Sequence, residues 1–506
     1  MKTTHKHMLI RSVYLFLISV LFLTVYSVTT SPITAYSGLD SAFFQLVGQG
    51  MTEGLLPYRD FFDMKGPYLF FIQCFGQLIC KGRIGIFIIQ VLNMFISLVI
   101  VDRILSIPFS SFRRWFVWET LSMFPVLFFA SFTLEYGNLS EEFSLPWILL
   151  ALLMARRYFQ TPAAEHPSQY AFIYGAACGF LAFVRITNAA FVGAAVLTIV
   201  INLIYRKHFK NLLLNAIAFL LGCGVALLPA VIFFAAHGEL SEMLYQVFKF
   251  GFMYSQGGGL VEKLLGILTQ YWGCLLVFLF PVMAAVFNFK QKQSGKNGLY
   301  LLLAVNGFLF ILLAVSMGNA YLHYFLIGLP NLVLGIILVR EGFSMEKPLW
   351  KKLSLAKITA ALLLLVLALN ANLFLSVSAT CASRILNRET DSRISCAHDI
   401  VEHVPAEDRD SVFVYSLPSC SRWYYATGLF PPHRQCDWHS NYTVLSSDIA
   451  EELTEWIRQG GPVYIVTEKD FEFYHETITP AILNNYEIVY TNDEYDLYCF
   501  VSSTQP

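Results

Sequence analysis

Eleven apolar runs constrain this chain more than any other feature: residues 9–29, 84–105, 115–134, 143–156, 170–185, 188–205, 211–236, 264–288, 298–317, 324–340 and 357–377. A helix rises 1.5 Å per residue, so about 20 apolar residues cross the ~30 Å hydrocarbon core of a bilayer. Most of the runs meet that length, and the chain reads as an α-helical polytopic membrane protein with about 11 transmembrane helices. Composition agrees: 56% of the 506 residues are hydrophobic and 14% charged, with mean hydropathy +0.57. A soluble domain carries about 25% charged residues. The run at 67–80 is short for a span and reads as an interfacial or re-entrant helix. The run at 143–156 is also short, so it needs a polar extension. The first run follows MKTTHKHM, and the window after it lacks a clear small-x-small cleavage pattern, so it reads as a signal anchor. No basic patch interleaved with aromatics sits on a soluble segment, so nucleic-acid binding is excluded.

Loop charges orient the bundle. With the N-terminus cytoplasmic and 67–80 not crossing, one side collects 19 cations, among them Arg113, Arg114, Arg156, Arg157, Arg206 and Arg340. The other side collects seven: Arg59, Lys65, Lys81, Arg83, Arg185, Lys249 and Lys263. That asymmetry is the positive-inside bias. It places the C-terminal tail outside a plasma membrane. The expected division is a membrane domain over 1–378, with a first outer loop at 30–83, and an extracytoplasmic domain over 379–506.

The tail changes character. From residue 378 onward there are 8 Lys+Arg and 20 Asp+Glu. β-branched and aromatic runs at 411–416, 461–468, 486–492 and 495–502 read as strands, and helical patterns at 446–459 and 470–484 lie between them. Strand–helix alternation predicts a small α/β layer domain. Its cysteines, Cys381, Cys396, Cys420, Cys436 and Cys499, allow up to two disulfides in an oxidising compartment. The other five lie in apolar runs and read as small core residues.

Polar residues gather on the outer side in four places. The longest is SGLDSAFFQLVGQGMTEGLLPYRDFFDMKGP (37–67), with Asp40, Glu53, Arg59, Asp60, Asp63 and Lys65. The others are 135–142, with Glu135, Glu141 and Glu142; 185–188, headed by Arg185; and 318–324, with His323 and Tyr324. Ionisable groups at a membrane boundary are costly unless paired or used. Carboxylates and cations at one depth suit a lipid phosphate as leaving group and a hydroxyl as nucleophile. Attack on an anomeric carbon needs a base, and a departing phosphate needs cations where negative charge grows. Asp40 is the best base candidate and Lys65 the best phosphate partner, with Arg59, Arg185, His323 and Tyr324 as helpers.

The first of these segments resembles the first outer loop of the GT-C glycosyltransferases. The branch it resembles contains the dolichyl-phosphate-mannose protein mannosyltransferases and the bacterial aminoarabinose transferases. The pattern is an Asp (Asp40) soon after the first span, then Gly54-Leu-Leu-Pro57-Tyr58-Arg-Asp60, then Lys65-Gly-Pro67. HYFLIGLP (323–330) and GFLAFVRITN (179–188) are similar to two further family segments. The resemblance implies a polyprenyl-phosphate-linked sugar donor, an extracytoplasmic acceptor (lipid, glycan or protein) and transfer with inversion. It gives Asp40 the catalytic carboxylate's place and Lys65 and Tyr324 the donor-phosphate ligands' places. The acidic residue that many members carry directly after this Asp is Ser41 here. Glu141 or Glu142 then stands as a second carboxylate by loop position alone. Carboxylates at a phosphate site can hold Mg²⁺ or Mn²⁺, so a divalent cofactor stays open.

Each residue also has a plainer reading. Asp40 can cap the helix that follows it, and Lys65 can snorkel. Arg59 and Asp60 can form a local ion pair, and Glu141 and Glu142 can favour a helix N-terminus. Arg185 can anchor a span end, His323 can be a structural hydrogen-bonder, and Tyr324 can belong to an aromatic belt. Gly257-Gly258-Gly259 reads as a flexible loop and not a phosphate cradle. Two other functions stay open: a transporter or flippase of envelope glycan precursors, and a non-catalytic envelope protein that binds partners through its acidic tail. Transporters usually bind near the midplane on broken helices, whereas these charges gather at one face.

Overall fold

The computed structural model describes the chain except residues 1, 106–111, 162–163, 257–258, 292–294, 318–320, 345–354, 388–391, 416–419, 470–474 and 502–506. Gly257, Gly258, the start of the 318–324 segment and the start of the helix expected at 470–484 lie outside the described residues. Helices α1 (Lys2–Tyr26), α2 (Asp40–Thr52), α3 (Pro67–Ile79), α4 (Arg83–Leu105), α5 (Phe112–Thr133), α6 (Ser140–Phe159), α7 (Ser168–Arg185), α8 (Ala190–Tyr205) and α9 (Phe209–Ala236) come first. They are followed by α10 (Leu240–Leu244), a π-helical turn (Tyr245–Phe250), α11 (Gly251–Gln256), α12 (Leu260–Gln270), α13 (Trp272–Gln291) and α14 (Gly295–Ser316). A 3-10 turn (Leu322–Gly328) leads into α15 (Leu329–Ser344), α16 (Leu355–Leu369) and α17 (Ala371–Asn387). The tail adds α18 (Ser392–Glu402), β1 (Val412–Val414), α19 (Cys420–Thr427), α20 (His439–Leu445), α21 (Ser447–Arg458), β2 (Tyr464–Glu468), α22 (Ile478–Asn485), β3 (Tyr486–Thr491) and β4 (Tyr495–Phe500).

Chain contacts divide these elements into two compact units. The first comprises Met1–Ser27, Ile88–Phe233 and Gly258–Ser383; the second comprises Val28–Phe87, Phe234–Gly257 and Arg384–Pro506.

Among the described residues, eight helical stretches are long and apolar enough to cross a bilayer, and the bent pair at 357–386 makes a ninth. The eleven expected spans differ from this at two places. Ser168–Tyr205 counts as one stretch of 38 residues. Unbroken, it would be about 57 Å long, nearly twice a hydrocarbon core. It is broken at Arg185, whose extended backbone (φ −165°, ψ 118°) precedes the 3-10 turn Ile186–Ala189. The second place is α6, which carries Glu141 and Glu142 in its first turn and Arg156 and Arg157 in its last. These are the polar extension that its short apolar run called for. They also complement the helix dipole, acids at the positive end and arginines at the negative end. Close helix packing comes from small residues. At Gly175 in α7 and Gly222 in α9, a Cβ would overlap the other helix's main chain.

In the second unit the tail forms a four-stranded sheet in the order β1-β2-β4-β3. β1 and β2 are parallel, and the other two pairs are antiparallel. All four expected strands form. α21 buries the i, i+4, i+8 stripe Ile449, Leu453 and Ile457, and Leu453 and Ile457 join Phe413, Ile465, Ile478, Ile482 and Tyr498 in the core. A second cluster joins tail to first loop: Phe62, Phe250, Tyr442 and Ile449. The Phe62 N–H donates to the Arg434 carbonyl at 2.9 Å. Arg434 pairs with Glu242 at 3.2 Å and with Glu452 at 3.0 Å. Among the described residues no cysteine pair forms a disulfide, so this arrangement realises none of the disulfides the tail allowed.

Candidate functional site

In the second unit, α2 starts at Asp40 itself, with Leu39 as its N-cap and no side-chain cap bond. The capping role is therefore not taken up. Asp40 is half-buried and makes no hydrogen bond or ion pair among the described residues. Its negative charge acts on Asp63 and Tyr442.

Asp63 is the hub of this loop, with a side chain 1% exposed. Its Oδ1 accepts the Lys65 backbone N–H at 2.5 Å and stands 4.0 Å from the Lys65 Nζ. Its Oδ2 accepts from the Tyr442 hydroxyl at 3.4 Å. Burial pushes the Asp63 acid above its ordinary range; Lys65 opposes that shift and the Asp40 charge adds to it. The Lys65 ammonium also lies 5.7 Å from the centre of the Phe44 ring.

The backbone that presents these groups is wired from both sides. Tyr58 is fully buried and left-handed (φ 71°). Its hydroxyl donates to the Lys65 carbonyl at 2.7 Å. Gln246, in the π-helical turn, donates to the Tyr58 carbonyl at 2.8 Å and accepts the Asp63 N–H at 2.9 Å. π-Turns and left-handed non-glycine residues are costly and cluster at functional sites. Arg59 turns to its neighbour Asp60 at 2.7 Å, with its side chain 45% exposed. Asp60 in turn accepts the Leu56 N–H at 2.7 Å. Arg59 is thus engaged within its own turn.

In the first unit, Glu141, Arg185, Tyr324 and His323 come together. Arg185 Nη1 lies 2.6 Å from Glu141 Oε1, and its guanidinium sits 3.8 Å from the Tyr324 ring centre. The His323 ring meets the Tyr324 ring edge-on at 4.6 Å. Glu135 Oε2 accepts the His323 backbone N–H at 2.9 Å and pairs with Nδ1 at 2.6 Å. Glu142 faces elsewhere: its Oε2 accepts from Gln90 Nε2 at 2.7 Å and from the Asn138 N–H at 2.9 Å. The connecting turn runs through four successive positive φ values, Glu135 (42°), Tyr136 (78°), Gly137 (88°) and Asn138 (61°). A Cβ at Gly137 would overlap Ser27.

Asp63, Gln246, Tyr442, Glu135 and Gln90 were not picked out as site residues from the sequence. Asp63 and Glu135 lie inside polar segments that were, so spacing alone could have raised them. Gln246 and Tyr442 arrive by tertiary contact and leave no local signal. Among the described residues, no three His, Cys, Asp or Glu side chains gather as a metal site would need. Mg²⁺ takes six ligands. In practice one or two carboxylates, waters and substrate phosphates make up that set; Asp40 and Asp63 supply two carboxylates, one of them already facing Lys65 and Tyr442.

No family model and no curated protein matches the sequence. Solved structures do match. ArnT from Cupriavidus metallidurans, crystallised with undecaprenyl phosphate, superposes with TM-score 0.59 over 97% of this chain and 98% of ArnT, at 13% identity. This chain has the GT-C fold. The apo form of ArnT gives the same figures, TM-score 0.59 and 13% identity. The Archaeoglobus fulgidus oligosaccharyltransferase, in complex with Zn and sulfate, matches more loosely, at TM-score 0.47, 12% identity, 96% of this chain and 73% of that one. The ArnT superposition spans nearly the whole chain, membrane helices and tail included.

Proposed function

We propose that the protein is an integral membrane glycosyltransferase of the GT-C type. It moves a sugar from a polyprenyl-phosphate donor to an acceptor hydroxyl outside the membrane, with inversion. One observation carries this reading: Asp40 is a half-buried carboxylate with no hydrogen-bond or ion-pair partner among the described residues, in the first outer segment that also carries Lys65. The undecaprenyl phosphate seen with ArnT supports the donor class.

The chemistry follows from the side chains. Asp40 accepts the acceptor's hydroxyl proton as the oxygen attacks the anomeric carbon. The bond from that carbon to the phosphate oxygen breaks on the opposite face, and its electron pair leaves with the phosphate. Lys65 neutralises the charge that grows there. The resemblance gives Tyr324 a donor-phosphate ligand's place, and Arg185 is the helper cation that its charge suggests. Glu141 and the Tyr324 ring support that by holding the Arg185 guanidinium in one orientation. Arg59, a further candidate for the donor phosphate, pairs with Asp60 in its own turn. Glu141 and Glu135 act as positioning residues, for Arg185 and His323, and Glu142 holds the 135–142 turn.

Incubating purified protein with a panel of labelled polyprenyl-phosphate sugars and identifying the product tests this reading. Transfer of label with an inverted anomeric bond is expected. Absence of transfer from every donor, with folded protein, would contradict it.

A further inference from the structure

A second charged site lies within the first unit, at the far end of its helices. Glu141 opens α6 and Arg156 is in its last turn. At 1.5 Å per residue, about 22 Å separates them along the helix. There a partly open cavity of about 120 Å³ is lined by Leu105, Arg156, Ile337, Arg340 and Glu341. A water needs about 10–15 Å³ of such space, so the cavity has room for several waters or one small oxyanion. It is well below the ~300–1,000 Å³ of pockets for drug-sized ligands.

The charges around this space are unevenly matched. Glu341 is committed to Lys296 at 2.8 Å. Arg340 Nη1 donates to the Leu105 carbonyl. The Nε of Arg156 is buried without a hydrogen-bond partner among the described residues. Arg156 acts on Arg340 as a like charge, relieved in part by Glu341 and Glu119. The helix dipole explains why an arginine sits at the end of α6 and another near the end of α15. It does not explain why two guanidiniums share one cavity. An oxyanion does: guanidiniums bind phosphate in planar, two-pronged fashion, and a bound anion removes their repulsion.

We propose that Arg156 and Arg340 form a binding site for a single phosphate-type oxyanion, supplied as free phosphate or as the headgroup of an anionic lipid. The site is independent of the proposed sugar transfer. By the loop charges it faces the cytoplasm, where anionic headgroups are concentrated.

The test uses the full-length protein in nanodiscs of zwitterionic lipid. One arm titrates inorganic phosphate against chloride at constant ionic strength; the other replaces part of the lipid with phosphatidate. A saturable rise in thermal stability, absent with chloride, is expected. In Arg156→Gln the apparent affinity should fall roughly tenfold or more, while the adjacent, exposed Arg157→Gln leaves it unchanged. A response to phosphate alone supports a free anion, and a response to phosphatidate supports a headgroup. Equilibrium dialysis of wild-type protein gives a second readout, one phosphate or one lipid per chain, which stands even where Arg156→Gln does not fold. Absence of a saturable response in both arms, or an equal loss in the two variants, would overturn the site.

Discussion

In the proposed reaction, Lys65 is the side chain whose loss separates donor from acceptor. Its ammonium is held by Asp63 at 4.0 Å and against Phe44, so under the proposed role it would meet a phosphate already placed, with little entropy left to lose. Lys65→Ala removes a charge-assisted contact worth about 1.5–3 kcal/mol. The donor KM should rise roughly tenfold to a hundredfold, with the acceptor KM unchanged; steady-state kinetics varying each substrate in turn checks this. At this scale the sequence was informative in one direction. Asp40 and Lys65 stand out because charged residues are rare in this chain and theirs cluster in one loop. Asp63 looks like any loop acid until burial and its contact with Tyr442 set it apart. Arg59 shows the converse, a cation in a family-like motif that the fold pairs with its neighbour.

Among the elements, the join between first loop and tail rests on few side chains. Phe62 is 4% exposed and packs edge-on against Phe250 and Tyr442, with ring centres at 4.8 and 5.6 Å. Phe62→Ala should lower the stability of this unit by about 3–5 kcal/mol, read as a fall in its thermal unfolding midpoint. α21 adds a pH-dependent contact. His433 and Arg434 hold the Glu452 carboxyl down to about 2, below its usual 4.5. A depressed carboxylate stabilises the fold above its unfolded pKa, and the contribution is lost as pH falls from 4.5 towards 2. Glu452→Gln should therefore be less stable than wild type at neutral pH, and the gap should close over that acid range. Thermal melts of both proteins across it are the check. The strands were legible because β-branched and aromatic runs mark them. The order β1-β2-β4-β3 was not, because register between distant segments depends on packing that no local run encodes.

For the whole molecule, the membrane class was legible from eleven apolar runs, but their number was not settled by length alone. The break at Arg185 is a backbone conformation, and α6 mixes span and polar ends. The tail's use was likewise hidden, since Tyr442 and Arg434 reach the first loop only in the folded chain. The fold is shared with ArnT at 13% identity, so the architecture does not depend on close sequence likeness. The central claim is that Asp40 is the base of a sugar transfer. Its most direct test is the rate of transfer by Asp40→Asn, with donor binding measured in parallel on the same membranes. The account predicts a rate lower by about a hundredfold or more, with donor binding and protein abundance unchanged. Transfer at the wild-type rate would contradict it.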